Sequence, residues 1–194
     1  DIFNLKLHKI NYDNNYNINK VDLSLFLKKR PSILFVPNPN QPIESCLSLN
    51  ELGTLAKKCK AVSCFLVIDE AYYLFGSPSS ISLIKKFDNI IILRTFSKAF
   101  GVPSIRVGYT ISNEKNMQIL SKARLAHELS SFSIITAKYL LENFNIVLNN
   151  CKKIIRSRKF LIKELKKINI NAHGKKGNYL LIPLPSKEVV KKTV

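Results

Sequence analysis

The stretch Thr95-Phe96-Ser97-Lys98-Ala99-Phe100-Gly101, with Arg106 eight residues after the lysine, sets two hydroxyls, a primary amine and a guanidinium in one short span. An amine forms a Schiff base with an aldehyde, and hydroxyls together with a guanidinium hold an anion through directed hydrogen bonds. The set suits an aldehyde cofactor that carries a phosphate. In a chain with 31 lysine and arginine residues a lysine alone means nothing, so the weight rests on its neighbours.

Three apolar runs must position such a site. Asn89-Ile90-Ile91-Ile92-Leu93 precedes the lysine stretch, and its lack of alternation predicts a parallel strand buried on both faces. Cys64-Phe65-Leu66-Val67-Ile68 ends in Asp69-Glu70-Ala71-Tyr72-Tyr73, and Ile33-Leu34-Phe35-Val36 ends in Pro37-Asn38-Pro39-Asn40-Gln41-Pro42. Each strand delivers polar residues at its C-terminal end, the edge where open α/β sheets bind ligands. The pattern predicts an α/β fold, a three-layer and mostly parallel sheet flanked by helices, with the three motifs converging on one site.

In that order the motifs resemble the pyridoxal-phosphate aminotransferases of fold type I. Within them the chain is most similar to the histidinol-phosphate aminotransferase group, whose pattern runs NPNNPTG, DEAY, R-T-x-S-K-x-x-G and then R-x-G-Y. The likeness is specific from Ile33 to Tyr109 and weaker through the helical remainder. It implies that Lys98 carries pyridoxal 5'-phosphate as a Schiff base and then acts as general base and acid. It implies that Asp69 pairs with the pyridine nitrogen and keeps it protonated, that Tyr72 donates to the ring oxygen while Tyr73 points elsewhere, and that Thr95, Ser97 and Arg106 bind the phosphate. Taken without the resemblance, Asp69 also reads as a helix N-cap and Arg106 as a solvated surface residue.

Two departures from the family pattern stand out. Gln41 occupies the place of the usual cofactor-binding asparagine, and Pro42-Ile43-Glu44 follows where the family has Pro-Thr-Gly. Glutamine keeps the amide and adds a methylene, so the contact survives with a shifted backbone, or Asn40 replaces it as donor. The second departure is Arg124-Leu125-Ala126-His127-Glu128-Leu129-Ser130, where relatives carry an Arg-Pro-Tyr-like sequence on the substrate side. His127 and Glu128 read either as selecting another amino donor or as a helix-terminal turn.

The resemblance implies a ping-pong transamination between a small anionic or phosphorylated amino compound and a 2-oxo acid, performed by a cytoplasmic homodimer. A decarboxylase similar to threonine-phosphate decarboxylase uses the same anchors, and a catalytically incomplete piece of such an enzyme is a third reading. Relatives are longer at both ends. Their front supplies further phosphate contacts and a tyrosine donated across the dimer, and their back supplies the arginine that grips the substrate carboxylate.

The formal net charge of +18 raises nucleic acid as a partner. The basic residues are dispersed over helical segments such as Lys152-Lys153 and Lys163 to Lys167, without the interleaved aromatics that base stacking needs, so they read as solvated faces. Cys46, Cys59, Cys64 and Cys151 show no CxxC spacing, and His8, His127 and His173 are scattered. Neither a metal site nor a disulfide framework is expected, only reduced thiols in a cytosolic protein. No run is long enough to cross a bilayer. The 46% hydrophobic content is enough for one substantial core.

Around these motifs the sequence predicts an exposed loop at Asn11 to Asn19 and a helix over Asp22 to Lys29. Capping-box spacing at Ser48-Leu49-Asn50-Glu51 opens a helix to Cys59. A short helix follows from Ser79 or Ser80 to Phe87, then a fourth strand over Tyr109 to Ser112. Helices are expected over Glu114 to Ala126 and Ser131 to Phe144. Asn149 and Asn150 are expected to punctuate the chain before a long amphipathic helix with Ile154, Leu161, Leu165 and Ile168 along one face. Tyr179 to Ile182 is expected as a strand. Residues 1–145 would then be part of a large domain and 146–194 the start of a smaller one.

Overall fold

The computed structural model of the chain describes residues 4–123, 129–184 and 186. Strands β1 (Ile33–Pro37), β2 (Phe65–Asp69), β3 (Ile90–Thr95) and β4 (Gly108–Ile111) lie side by side in chain order. The first three are parallel and β4 runs antiparallel to β3. Helix α2 (Leu49–Ala61) joins β1 to β2, and the short α3 (Ile81–Ile84) lies between β2 and β3. Residues 96–107 hold the 3₁₀ segment Pro103–Ile105 and no crossover α-helix, in keeping with the antiparallel return of the chain.

One sheet face carries Leu34, Val36, Leu66, Ile68, Ile90 and Ile92 against Leu52, Leu55, Ala56 and Cys59 of α2 and Leu83 of α3. Leu27 of α1 (Lys20–Lys28) closes this core. On the opposite face Ile91 and Leu93 of β3, the strand expected to be buried on both sides, are half-buried, and β1 is more open still. Ile33 and Phe35 of β1 are 56% and 52% exposed, with Phe65 beside Ile33 in register, because α2, α3 and α1 all pack on the other side. An apolar run shows that a strand can be covered and does not show what covers it.

Helix α1 starts two residues earlier than expected because the Asn19 side chain accepts the N–H groups of Val21 and Asp22. At α2 the capping box forms as its spacing requires. Ser48 Oγ accepts the Glu51 N–H, and the Glu51 carboxylate accepts the Ser48 N–H at 2.9 Å and its hydroxyl at 2.8 Å. These bonds hold the Glu51 carboxyl below the usual carboxylate range. Ser48→Ala is expected to cost about 1 kcal/mol in a denaturant titration near neutrality. A depressed carboxylate pKa contributes stability above its unfolded value and loses it as pH falls through the folded one, so the difference should shrink in acid. Helix α3 stops short of Phe87: the Lys86 N–H turns onto the Leu83 carbonyl three residues back, a tighter bond than the α-helical one.

A second core gathers Tyr72, Phe75, Phe96, Ala99, Phe100, Ile105 and Val107 against Ala137 of α5 (Ser131–Glu142) and Val147 and Cys151 of α6 (Phe144–Lys167). Helix α4 spans Glu114–Ser121, and positions 124–128, including His127 and Glu128, lie outside the described residues. Asn149 and Asn150 do not punctuate the chain. Both sit exposed inside α6, where asparagine costs only a few tenths of a kcal/mol to about 0.7 kcal/mol relative to alanine. The buried stripe of α6 is Val147, Cys151 and Arg158, while Leu161 and Ile168 of the expected face are exposed. Tyr179 to Ile182 forms no strand either; a single bridge pairs His173 with Leu181. None of the described helices is long and apolar enough to cross a membrane.

Candidate active site

The strand ends come together as the parallel register dictates, with Pro37 beside Asp69 and Asp69 beside Leu93. Beyond the strands the ladder continues, with the Asn38 N–H donating to the Asp69 carbonyl at 2.8 Å and the Glu70 N–H to the Leu93 carbonyl at 2.9 Å. Side chains alternate along an extended chain, so Asp69 shares the face of Phe65 and Val67 while Glu70 shares that of Leu66 and Ile68. One carboxylate therefore faces the ligand edge and its neighbour faces the core.

The loop after β1 is tied to itself. The buried Asn38 amide donates to the Leu47 carbonyl at 3.2 Å and accepts the Leu47 N–H at 2.7 Å. The Asn40 amide donates to the Ile43 carbonyl at 2.9 Å, so Asn40 is engaged inside its own loop and is not a free replacement donor. Gln41 is exposed, and its side-chain oxygen accepts the Tyr72 hydroxyl. The half-buried Lys98 places its amine 5.5 Å from the centroid of the Tyr72 ring, within cation–π range. Gln41, Tyr72 and Lys98 thus meet, although they come from three different motifs.

Asp69 is half-buried, and one of its oxygens accepts the Ala71 N–H at 3.0 Å. It caps a turn and no helix, since the 3₁₀ segment Tyr73–Phe75 begins after Tyr72 without a side-chain cap. Burial pushes its carboxyl above the ordinary value, opposed by the Ala71 N–H. Among the described residues no ion pair engages it. A part-buried carboxylate in that condition suits a cationic partner brought in from outside the chain.

On the phosphate side, Thr95 Oγ1 lies 3.0 Å from Ser97 Oγ and accepts the Ser97 N–H at 3.0 Å. Arg106 holds a left-handed backbone with φ of 53°, is exposed, and donates to the Pro103 carbonyl at 3.2 Å. Its backbone lies next to the turn, because the Phe96 N–H donates to the Val107 carbonyl at 3.0 Å, yet no hydrogen bond joins its guanidinium to Thr95 or Ser97. Two cavities of about 360 and 590 Å³ lie elsewhere, one beside Cys46 and Lys176 and the other between α1 and α2, and Lys98, Asp69 and Tyr72 line neither. The candidate site lies where the strands end. Its donors fit a ring that bears an aldehyde, a basic nitrogen, a hydroxyl and a phosphate. Among the described residues no group of three or more His, Cys, Asp or Glu side chains forms a metal site.

A second charged cluster escaped sequence reasoning. Glu70 is fully buried, and Arg94 donates to one of its oxygens through Nε at 3.0 Å and Nη2 at 2.8 Å. The other oxygen accepts the Ser80 N–H, while Arg94 also donates to Ser79 and lies 3.7 Å over the Tyr73 ring. Tyr73 thus packs against Arg94, and burial beside Tyr109 pushes its hydroxyl up to about 12. The available signal was parity: Glu70 and Arg94 are the charged residues that fall on the core-facing side of their strands.

The family model for aminotransferase class I and II matches residues 2–194. The chain is 36% identical over 156 residues to the histidinol-phosphate aminotransferase of Thermotoga neapolitana, covering 80% of this chain and 45% of that protein. Its fold is that of the histidinol-phosphate aminotransferase from Sinorhizobium meliloti solved in complex with pyridoxal-5'-phosphate, with a TM-score of 0.85 at 21% identity over 96% of this chain and 51% of that one. The L-threonine-O-3-phosphate decarboxylase from Porphyromonas gingivalis shares the fold at a TM-score of 0.69 and 22% identity, over 80% of this chain and 48% of that one. The chain thus spans about half the length of the proteins it matches. With the ordered motifs, the strand-edge geometry and a match along nearly its whole length, this chain belongs to the aminotransferase class I and II family.

Proposed function

We propose that the whole protein is a pyridoxal 5'-phosphate-dependent aminotransferase that moves an amino group between a small anionic or phosphorylated amino compound and a 2-oxo acid. The observation that carries this reading is the meeting of Lys98, Tyr72 and Gln41 on the strand edge where Asp69 lies half-buried with no counter-ion among the described residues. Bound there, the cofactor supplies a ring that accepts the electron pair released at the substrate's Cα. Lys98 would hold the cofactor through its amine and would move the proton at its Nζ. Asp69 would pair with the ring nitrogen, Tyr72 and Gln41 would orient the ring oxygen, and Thr95, Ser97 and Arg106 would bind the phosphate. The family resemblance brings with it a homodimer and a division between a large portion at residues 1–145 and a smaller one from 146. Four free cysteines fit the reducing cytoplasm.

Adding pyridoxal phosphate to the chain and trapping it with borohydride tests the reading. Cofactor mass on the Lys98 peptide is the expected result, and label spread over surface lysines would sink it. With an amino donor supplied, transfer that needs a 2-oxo acid supports the aminotransferase. Carbon dioxide released without an acceptor would instead indicate the decarboxylase that shares these anchors.

Asp69 provides a second test. A carboxyl whose folded-state pKa is raised costs stability when ionised, above its unfolded value, and that cost disappears as pH falls through the folded value. Asp69→Asn should therefore raise the melting temperature of the cofactor-free chain near neutrality, lose that advantage in acid, and weaken cofactor uptake. Opposite movement of stability and binding is the mark of a ligand site. A lower melting temperature together with undiminished cofactor binding would remove Asp69 from the site.

A further inference from the structure

Glu44 stands where the family motif has glycine, and the structure gives that departure a purpose. Its carboxylate accepts three successive backbone N–H groups, from Lys175 on one oxygen and from Lys176 and Gly177 (the last at 2.8 Å) on the other. From the far side of the same turn, the buried Arg158 of α6 donates to the carbonyls of Lys175 and Gly177 and to that of Phe75. The amides of one turn are held by a carboxylate and its carbonyls by a guanidinium. Two residues on, the Tyr179 hydroxyl donates to the Asn40 carbonyl, and its ring meets Tyr72 edge-on with centroids 5.2 Å apart. Tyr72 is the residue that binds Gln41 and lies beneath the Lys98 amine.

The turn needs this anchor. After α6 the described chain holds only the His173–Leu181 bridge, so backbone pairing contributes little to docking it. Successive N–H groups in a turn form a concavity that favours an anion, and bonds to an ionised acceptor are about twice as strong as neutral ones. The fit is close, since a Cβ on Gly177 would come within 2.2 Å of the Tyr179 ring.

We propose that Glu44 is a positioning residue: it latches residues 175–179 onto the cofactor edge and, through Tyr179, sets Tyr72 against Gln41 and Lys98. The effect on cofactor binding rests on the aminotransferase reading; the latch itself does not. Glutamine at position 44 keeps one accepting oxygen and turns an NH₂ group toward the turn's own donors, so Glu44→Gln breaks the latch with little change of shape. Aspartate keeps the charge with a shorter reach and should restore part of it. Gly177→Ala leaves the carboxylate intact and displaces Tyr179 instead.

The test compares the parent chain with Glu44→Gln, Glu44→Asp and Gly177→Ala by hydrogen exchange and by titration with pyridoxal phosphate. In Glu44→Gln the amides of 175–177 should lose protection while those of β2 and β3 keep theirs. Cofactor affinity should fall about tenfold or more, the scale of one charge-assisted hydrogen bond. Glu44→Asp should fall between, and Gly177→Ala should weaken the cofactor although Glu44 is present. Unchanged protection at 175–177 in Glu44→Gln overturns the latch. Lost protection with unchanged cofactor affinity and visible absorbance overturns the positioning role. If the parent chain takes up no cofactor, the positioning role fails for this chain, and the exchange measurement alone decides the latch.

Discussion

Lys98→Ala is expected to leave a folded chain that transfers no amino group, with the rate down by roughly 10³-fold or more, the scale of a lost acid–base group. The separation of effects follows from the geometry. The amine makes no hydrogen bond or ion pair among the described residues, and its contact with Tyr72 contributes about 0.5–1 kcal/mol at such a part-exposed place. The loop's packing comes from the neighbours Phe96, Ala99 and Phe100, which the substitution leaves alone. A thermal melt close to that of the parent, with amino transfer abolished and borohydride labelling lost from this peptide, is the expected set of results. Substantial transfer by the variant would refute the assignment of Lys98.

Arg94→Met should do the reverse and act first on stability. It leaves the Glu70 carboxylate in a place with no solvent access and, among the described residues, only the Ser80 N–H as a hydrogen-bond donor. Stranding one partner of a buried ion pair costs about 3–5 kcal/mol, a large share of the ~5–15 kcal/mol that holds a domain together. For a chain of this size the melting temperature should fall by roughly 6–20 °C. The double variant Arg94→Met with Glu70→Gln should recover much of the loss, because no unpaired charge is left inside. A double variant no more stable than Arg94→Met alone would show that packing, and not charge, is what Arg94 supplies. Since Glu70 follows Asp69 and Arg94 precedes Thr95, any displacement here also shifts two residues of the candidate site.

How much of this was readable beforehand depended on distance along the chain. The three strands were legible because their apolar runs are continuous, and their edge residues because amine, carboxylate and hydroxyls recur in a fixed order. The α2 boundary was legible because the cap and its partner lie three residues apart. The continuity of α6 was not, because asparagine was weighed as a breaker while the packing of Val147 and Cys151 against the second core decides the helix. Nor could local pattern reveal that Glu44 holds Lys175, Lys176 and Gly177, since that contact joins positions 131 to 133 residues apart. The open face of β1 was hidden for a related reason, since hydrophobicity is a property of a residue and cover is a property of its neighbours.

Asp69 and Glu70 sit back to back, one turned toward the ligand edge and the other toward Arg94. A slip of one residue anywhere between Phe65 and Ile68 would exchange their faces. Slipped one way, the longer acid stands at the edge; slipped the other, the shorter one reaches for Arg94 a methylene short. A one-residue insertion or deletion within β2 is therefore expected to undo the ligand edge and the buried pair together.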